Sequence, residues 1–187
     1  MKKLILLAIA SLSLFSSGWE TKYNENGLKV EINLDGAIKQ RSSVVVNASL
    51  EDCIAMQKDP KQYKKFIYSY KDVSVLEQPD SDHLTVELTT TMPWPLDDKA
   101  SIIKKTFHYD AAQQSFEIVS RTVDKGDNTE GKYTDSKWTF KALSENKVAI
   151  NMESTSYKMD VPKFIVGLFI ADYPQWTLEH FKQEVEK

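Results

Sequence analysis

The stretch TTTMPWPLDDKASIIKK, residues 89–105, interrupts β-type sequence with one proline on each side of Trp94. Proline fixes its backbone φ angle and lacks the amide hydrogen that pairing in a sheet requires. The stretch therefore predicts that strand pairing stops here and that the indole of Trp94 is held at the rim of a sheet. Two interpretations of Trp94 follow: it forms a gate or corner beside an interior space, or it caps a hydrophobic core, as large aromatics at turns do.

The strand predicted after this turn places a lysine among apolar residues. Alternation along a strand puts Lys105 on the same face as Ile103 and Phe107. Burying a lysine is costly unless the charge is paired. Lys105 therefore lies at the wet edge of the sheet as a surface lysine, or it meets a carboxylate or the anionic head of a ligand. Glu87 on the preceding strand is a candidate counter-charge, although its apolar neighbours would face inward if Glu87 faces outward.

Apolar residues on both sides of this stretch recur with the period of two that is typical of β-strands. Upstream, alternation at 28–32 and 38–46 around the turn former Gly36 predicts a hairpin. Ser49 then begins a helical pattern, which Pro60 divides into two short helices at about 50–58 and 61–66. Further strands are predicted at 70–77, 83–91, 100–109, 115–123, 133–143 and 147–157.

From Pro162 onward, apolar residues at helical spacing predict a long C-terminal helix, bent near Pro174. Together these elements predict an α+β fold, in which a curved antiparallel sheet of about eight strands wraps around that helix. The two short helices follow the first hairpin. Such a sheet can leave a hollow beneath the helix, and aromatic residues that line this space without filling it would create a pocket of roughly a few hundred Å³.

The N-terminal segment 1–18, MKKLILLAIASLSLFSSG, runs from two lysines through an apolar stretch into small residues. This order is typical of a secretory signal peptide, and the apolar part is short for a membrane span. We expect cleavage between Ser16 and Trp19 and export to the periplasm or the exterior. A membrane anchor or an interior helix is the alternative interpretation. The remaining residues, 19–187, are predicted to form a single domain.

Composition and charge argue against several functions. Without Lys2 and Lys3, 22 of the 24 basic side chains remain against 27 acidic ones, which disfavours nucleic acid as a partner. A single cysteine, Cys53, excludes an intramolecular disulfide and is expected to be buried and unreactive. The three histidines are scattered and no nucleotide-binding or hydrolase motif is present, so we expect no metal and no cofactor. The pair Asp97-Asp98 is interpreted as turn chemistry.

Several local strings resemble the StAR-related lipid-transfer (START) family, in an exported bacterial form. This family lies within the helix-grip superfamily of hydrophobic-ligand binders. The most specific string is Pro93-Trp94-Pro95, and NASLEDCIAMQKDPKQYKKF at residues 47–66 resembles the family's pair of short helices. The resemblance covers nearly all of the mature chain.

The resemblance implies a helix-grip fold in which 19–187 bind a lipid or another hydrophobic small molecule in a cavity between the sheet and the C-terminal helix. The protein would act as a carrier or sensor, without catalysis, and would contact membranes transiently. Where the family usually has Arg-Asp after the turn, this chain has Lys99 and Ala100, so that salt bridge cannot form. The predicted ligand-binding residues are Trp94, Lys105, Phe107, Trp138, Phe140, Met152, Phe164 and Leu168.

Two alternatives stay open. Some helix-grip proteins are enzymes that cyclise or hydrolyse a ligand in the same cavity, which would require a convergent acid and base there. A protein-interaction module would result instead if Trp138, Phe140, Met152 and the C-terminal helix packed together without a void. Oligomeric state is left open by the sequence.

Overall fold

The computed structural model describes residues 18–91, 97–123, 134–157 and 170–187, the side chains of Lys99 and Val123 excepted. Within these ranges, nine strands form one antiparallel sheet in the order β1-β2-β3-β9-β8-β7-β6-β5-β4. The strands are β1 Trp19–Glu25, β2 Leu28–Asn33, β3 Ile38–Val46, β4 Tyr70–Glu77, β5 His83–Thr90, β6 Lys99–Asp110, β7 Ser115–Val123, β8 Thr134–Ser144 and β9 Lys147–Ser156. The helices are α1 Leu50–Lys58, α2 Tyr63–Phe66 and α3 Asp172–Val185.

The predicted α+β architecture is confirmed, with one strand more than expected. The additional strand is β1, an edge strand in which only Trp19 and Tyr23 are partly buried. Its sequence, WETKYNE, lacks the alternation of apolar residues that identified the other strands. Its pairing with β2 also shifts register between Thr21 and Tyr23, so a strict period of two would fail even within the strand.

The hairpin and the two short helices form as the local sequence predicts. Gly36 has a φ angle of 73°, a conformation that glycine adopts without the steric cost of a side chain. Ser49 caps α1, because its Oγ accepts a hydrogen bond from the Asp52 amide at 3.1 Å and its hydroxyl donates to the Asp52 carboxylate at 2.6 Å. Pro60 ends this helical run by opening a 3-10 turn, Pro60–Gln62, that leads into α2.

The core lies between the concave face of the sheet and the three helices. α3 packs against β2, β3 and α2. Its Phe181 is fully buried, and the ring meets Phe66 with a centroid distance of 5.1 Å, Phe140 at 5.8 Å and Trp138 at 6.0 Å. This aromatic cluster fixes the C-terminal helix directly on the sheet.

The start of the predicted C-terminal helix, from Pro162, lies outside the described residues. Near the expected bend, the chain makes a turn at residues 170 and 171 and then begins α3. Pro174 lies in the first turn of α3, where proline is tolerated because that amide has no intrahelical partner. None of the described helices is long and apolar enough to cross a membrane.

Candidate ligand-binding site

Lys105 projects from β6 into the interior and is only 8% exposed. Its Nζ lies 3.8 Å from the centroid of the Tyr63 ring on α2, a cation–π contact. Tyr63 is itself fixed, since its hydroxyl donates to the carbonyl of Gln57 at 2.8 Å. Burial lowers the pKa of Lys105 from 10.5 to about 7. The interpretation of Lys105 as a surface lysine is therefore wrong.

Among the described residues, no carboxylate forms an ion pair with Lys105. Glu87 was the candidate counter-charge, yet the alternation of β5 buries Val86 and Leu88 on the inner face. Glu87 thus belongs to the opposite face, as the sequence suggested. Lys105 is a buried amine whose described neighbour is an aromatic ring.

Lys105 is one end of a row of polar residues that crosses the concave face of the sheet. Cross-strand register pairs Lys105 with Ser120, Ser120 with Ser136, Ser136 with Ser154, and Ser154 with Gln40. We call these five residues the polar row. Because neighbouring strands lie about 4.8 Å apart, the four steps from β6 to β3 span roughly 19 Å.

The far end of the polar row is held by hydrogen bonds. Ser154 Oγ donates to Gln40 Oε1 at 3.1 Å, and Gln40 Nε2 donates to the carbonyl of Ile170 at 3.1 Å, just before α3. At the other end, neither Ser120 nor Ser136 hydrogen-bonds through its hydroxyl to a described residue. Gln40 and Ser120 are buried, whereas Ser136 and Ser154 are partly accessible.

Next to the polar row, the concave face becomes apolar. Phe107 stacks on Phe116 with a centroid distance of 5.9 Å, and Trp138 stacks on Phe140 at the same distance. Met152, paired in register with Trp138, is 2% exposed. The structure thus brings four of the predicted ligand-binding residues, Phe107, Trp138, Phe140 and Met152, onto one surface with Lys105. Their contact with a ligand stays a prediction.

Three predicted site residues, Trp94, Phe164 and Leu168, lie outside the described residues, so their placement beside the cavity also stays a prediction. The nearby acidic pair is described: Asp98 forms an ion pair with Lys71 at 2.8 Å. Cys53 is fully buried, and burial raises the pKa of its thiol to about 12, which leaves it unreactive as expected.

An open groove of about 660 Å³ lies at the apolar end of the sheet, between α1 and the turn that joins β8 to β9. Its walls include Leu50, Ile54, Phe116 and Ala142. None of the polar row lines it. The groove is therefore a surface feature apart from the interior site.

The polar row escaped the sequence analysis, apart from Lys105. Serine in a strand is usually read as a solvent-facing residue, and nothing local distinguishes Ser120, Ser136 or Ser154 from surface serines. A signal was nevertheless present. Each of these serines is two residues from a core residue of the same strand, Ile118, Trp138 and Met152, and so shares its face.

The residues described include no group of three or more His, Cys, Asp or Glu side chains arranged to hold a metal ion. The site offers one amine, several hydroxyls and an adjoining apolar surface. Such a set can bind an amphipathic molecule by hydrogen bonds at one end and by burial at the other.

Neither a family model nor a curated protein matches this sequence. Solved structures do match it. A STAR-related lipid transfer protein fragment from Xanthomonas axonopodis superposes with a TM-score of 0.77 at 17% identity, covering 91% of this chain and 99% of that chain. Human StAR-related lipid transfer protein 5 gives a TM-score of 0.74 at 12% identity, covering 91% of this chain and 88% of that chain.

An enzyme also appears among the similar structures. The Zhui aromatase/cyclase from Streptomyces sp. R1128 has a TM-score of 0.60 at 12% identity, covering 79% of this chain and 93% of that chain. At sequence identities this low, structural similarity shows a shared fold and does not determine the function. The fold agrees with the sequence resemblance in three features: the order of the nine strands, the helix pair after the first hairpin and the C-terminal helix on the concave face. This chain therefore has the START, or helix-grip, fold.

Proposed function

We propose that the protein binds one lipid or other hydrophobic small molecule against the concave face of the sheet, as a carrier or sensor and without catalysis. The observation that supports this most directly is the polar row, which runs through the interior beside the aromatic surface. Hydroxyl and amine groups are costly to bury, and a purely structural core would replace them with apolar side chains. A ligand with a polar end would satisfy them.

Affinity would come from the apolar part of the ligand. Removing hydrocarbon from water contributes roughly 25 cal/mol per Å². Phe107, Trp138 and Met152 adjoin the polar row in register and are at most 7% exposed, so the apolar part of a bound molecule would lie beside this packed surface, over the polar row. The predicted residues Phe164 and Leu168 would complete the apolar wall from the segment before α3.

A cavity enzyme is the first alternative, and the aromatase/cyclase neighbour together with the lowered pKa of Lys105 favours it. Acid-base catalysis would require a second group in hydrogen-bond reach of the same substrate atom. The described contacts of Lys105 are the Tyr63 ring and its cross-strand neighbour Ser120, and none of them is a carboxylate or a histidine. This set favours binding over bond cleavage.

A protein-interaction module with a collapsed interior is the second alternative. The direct contacts of Phe181 with Trp138 and Phe140 favour it over that part of the sheet. The partial accessibility of Ser136 and Ser154 argues for space farther along the same face.

We further propose that residues 1–18 direct export, so that the carrier works in the periplasm or outside the cell.

Native mass spectrometry and lipid extraction of protein purified from its own compartment would test the proposal. We expect one copurifying hydrophobic molecule per chain, recovered chemically unchanged. A ligand recovered as a converted product would support the enzyme alternative. Protein that is ligand-free and takes up nothing from lipid vesicles would contradict the proposal and favour the interaction module.

A further inference from the structure

We propose that the bound molecule is an acidic amphiphile whose carboxylate or phosphate head lies at the Lys105 end of the polar row. This inference rests on the proposed function and specifies the class of ligand. Three observations carry it: the lack of a described carboxylate partner for the Lys105 amine, the absence of acidic residues at the inward positions of the five strands that carry the polar row, and the unengaged hydroxyls next to the amine.

A buried amine needs an anion to be stable in its charged form. Lys105 is 8% exposed, and the described part of the chain gives its Nζ no carboxylate partner. The Tyr63 ring face, 3.8 Å away, favours the ammonium form but carries no negative charge. An acidic ligand would supply the missing charge and raise the pKa of Lys105 again.

The strands that carry the polar row place no negative charge near the proposed site of the acidic head. The inward positions of β3, β6, β7, β8 and β9, read from the burial alternation and the cross-strand register, include neither aspartate nor glutamate. The side chain of Lys99, at the end of β6, is not described. Along these five strands Lys105 is thus the one described inward side chain that can carry a charge, among apolar, hydroxyl and amide groups. An anionic head at Lys105 meets attraction and, from the inward positions of these strands, no like charge.

Hydrogen-bond donors stand beside the amine. Ser120 is the direct cross-strand neighbour of Lys105, and Ser136 is the next residue along the polar row. Side chains of directly paired residues are about 5 Å apart at Cβ, so one head group can contact both Lys105 and Ser120. Because the hydroxyl of Ser154 is already donated to Gln40, the available donors of the polar row itself lie at the Lys105 end. Outside the polar row, the buried hydroxyl of Ser42 on β3 also has no described hydrogen-bond partner. Oxygen atoms of an acid accept from both kinds of donor.

Competition binding with a matched ligand series would test this inference. The purified protein is loaded with the neutral fluorophore N-phenyl-1-naphthylamine, which is then displaced by hexadecanoic acid, hexadecyl phosphate, hexadecan-1-ol or methyl hexadecanoate. Because all four share one chain length, differences report on the head. We expect both acids to bind at least about 10-fold more tightly than the ester, as charge-assisted hydrogen bonds require.

Variants locate the preference. Lys105→Met keeps a long side chain without charge, and we expect it to lose the preference for acids while binding the ester within about 2-fold of the unmodified protein. Ser120→Ala should weaken acid binding about 5-fold and ester binding by a smaller factor, because an ester carbonyl is a weaker acceptor than a charged head. Lys104→Met, an exposed lysine on the opposite face of β6, is the matched control and should keep the full preference.

Equal binding of acid and ester, or a preference that persists in Lys105→Met, would overturn the inference while leaving the proposed function intact. Displacement by inorganic phosphate or acetate as strong as by the hexadecyl acids would identify a site for soluble anions, which also overturns it. Failure of every hexadecyl compound and of the fluorophore to bind would instead contradict the proposed function itself.

Discussion

At the scale of single residues, Lys105 is a costly side chain to bury. Its amine gives up hydration and gains only the ring of Tyr63, which offsets part of the loss. Natural proteins keep such groups where function needs them, at a cost in stability. The free energy cost of burying Lys105 should vary with pH, because it applies to the protonated amine and not to the neutral one.

We predict that the stability difference between Lys105→Met and the unmodified protein depends on pH. Burial lowers the pKa of folded Lys105 to about 7, whereas in the unfolded chain it returns to 10.5. The unfolded state therefore binds more protons between these values, and the unmodified protein gains stability as pH rises through this window. Below about pH 7 the penalty is complete, and Lys105→Met should be more stable by about 3 kcal/mol.

Urea unfolding at several pH values would measure this difference. The advantage of Lys105→Met should shrink steadily from neutral pH toward pH 10, and other titrating groups cancel in the comparison. Lys104→Met, which removes an exposed lysine from the opposite face of β6, is the matched control. A stability difference that stayed constant from neutral pH to pH 10 would show that folding does not penalise the charged form of Lys105.

At the scale of elements, prediction succeeded where local signals act alone. β4 and β7 begin and end where the sequence predicts, and Pro60 divides the helices as expected. β1 was missed because an edge strand buries too little to impose a pattern. The polar row was missed for a different reason: its meaning depends on register across five strands, and only tertiary pairing brings Gln40 into line with Lys105.

The cap of α1 yields a prediction at this scale. Ser49→Ala removes the acceptor for the Asp52 amide and the donor to its carboxylate. We expect a loss of about 1 kcal/mol in the free energy of unfolding, measured by urea titration, with little change in ligand binding. Ser74→Ala, at an exposed serine of β4, is the control and should change stability by less than about 0.5 kcal/mol. If Ser49→Ala and Ser74→Ala lost the same free energy of unfolding, the two hydrogen bonds of the cap would contribute nothing to stability.

At the scale of the whole molecule, the concave face has two regions of different composition. The apolar region lies under α1 and α3 and holds the fold together through Phe140 and Phe181. The polar row runs beside it. Under the proposed function, a change at Ser120 or Ser136, whose hydroxyls bond to no described residue, should affect binding more than folding, whereas Lys105 affects both.

Filling the space over the polar row tests this separation. We predict that Ser136→Trp abolishes uptake of N-phenyl-1-naphthylamine and of hexadecyl ligands, because an indole at the centre of the polar row would occupy the volume that a ligand needs. The hydroxyl it replaces makes no hydrogen bond to a described residue, so the urea midpoint should fall only modestly. Fluorescence titration measures uptake, and urea unfolding of the same samples verifies the fold.

Lys137→Trp provides the matched control, since it introduces the same indole one residue along β8 on the exposed face, at the expense of a surface ion pair with Glu117. Uptake should be unchanged in this variant. If Ser136→Trp stayed folded and took up ligand as well as Lys137→Trp does, the space over the polar row would not be the binding site. The apolar region already packed by Phe181 could not replace it without moving α3, so the carrier proposal would then require the C-terminal helix to leave the sheet.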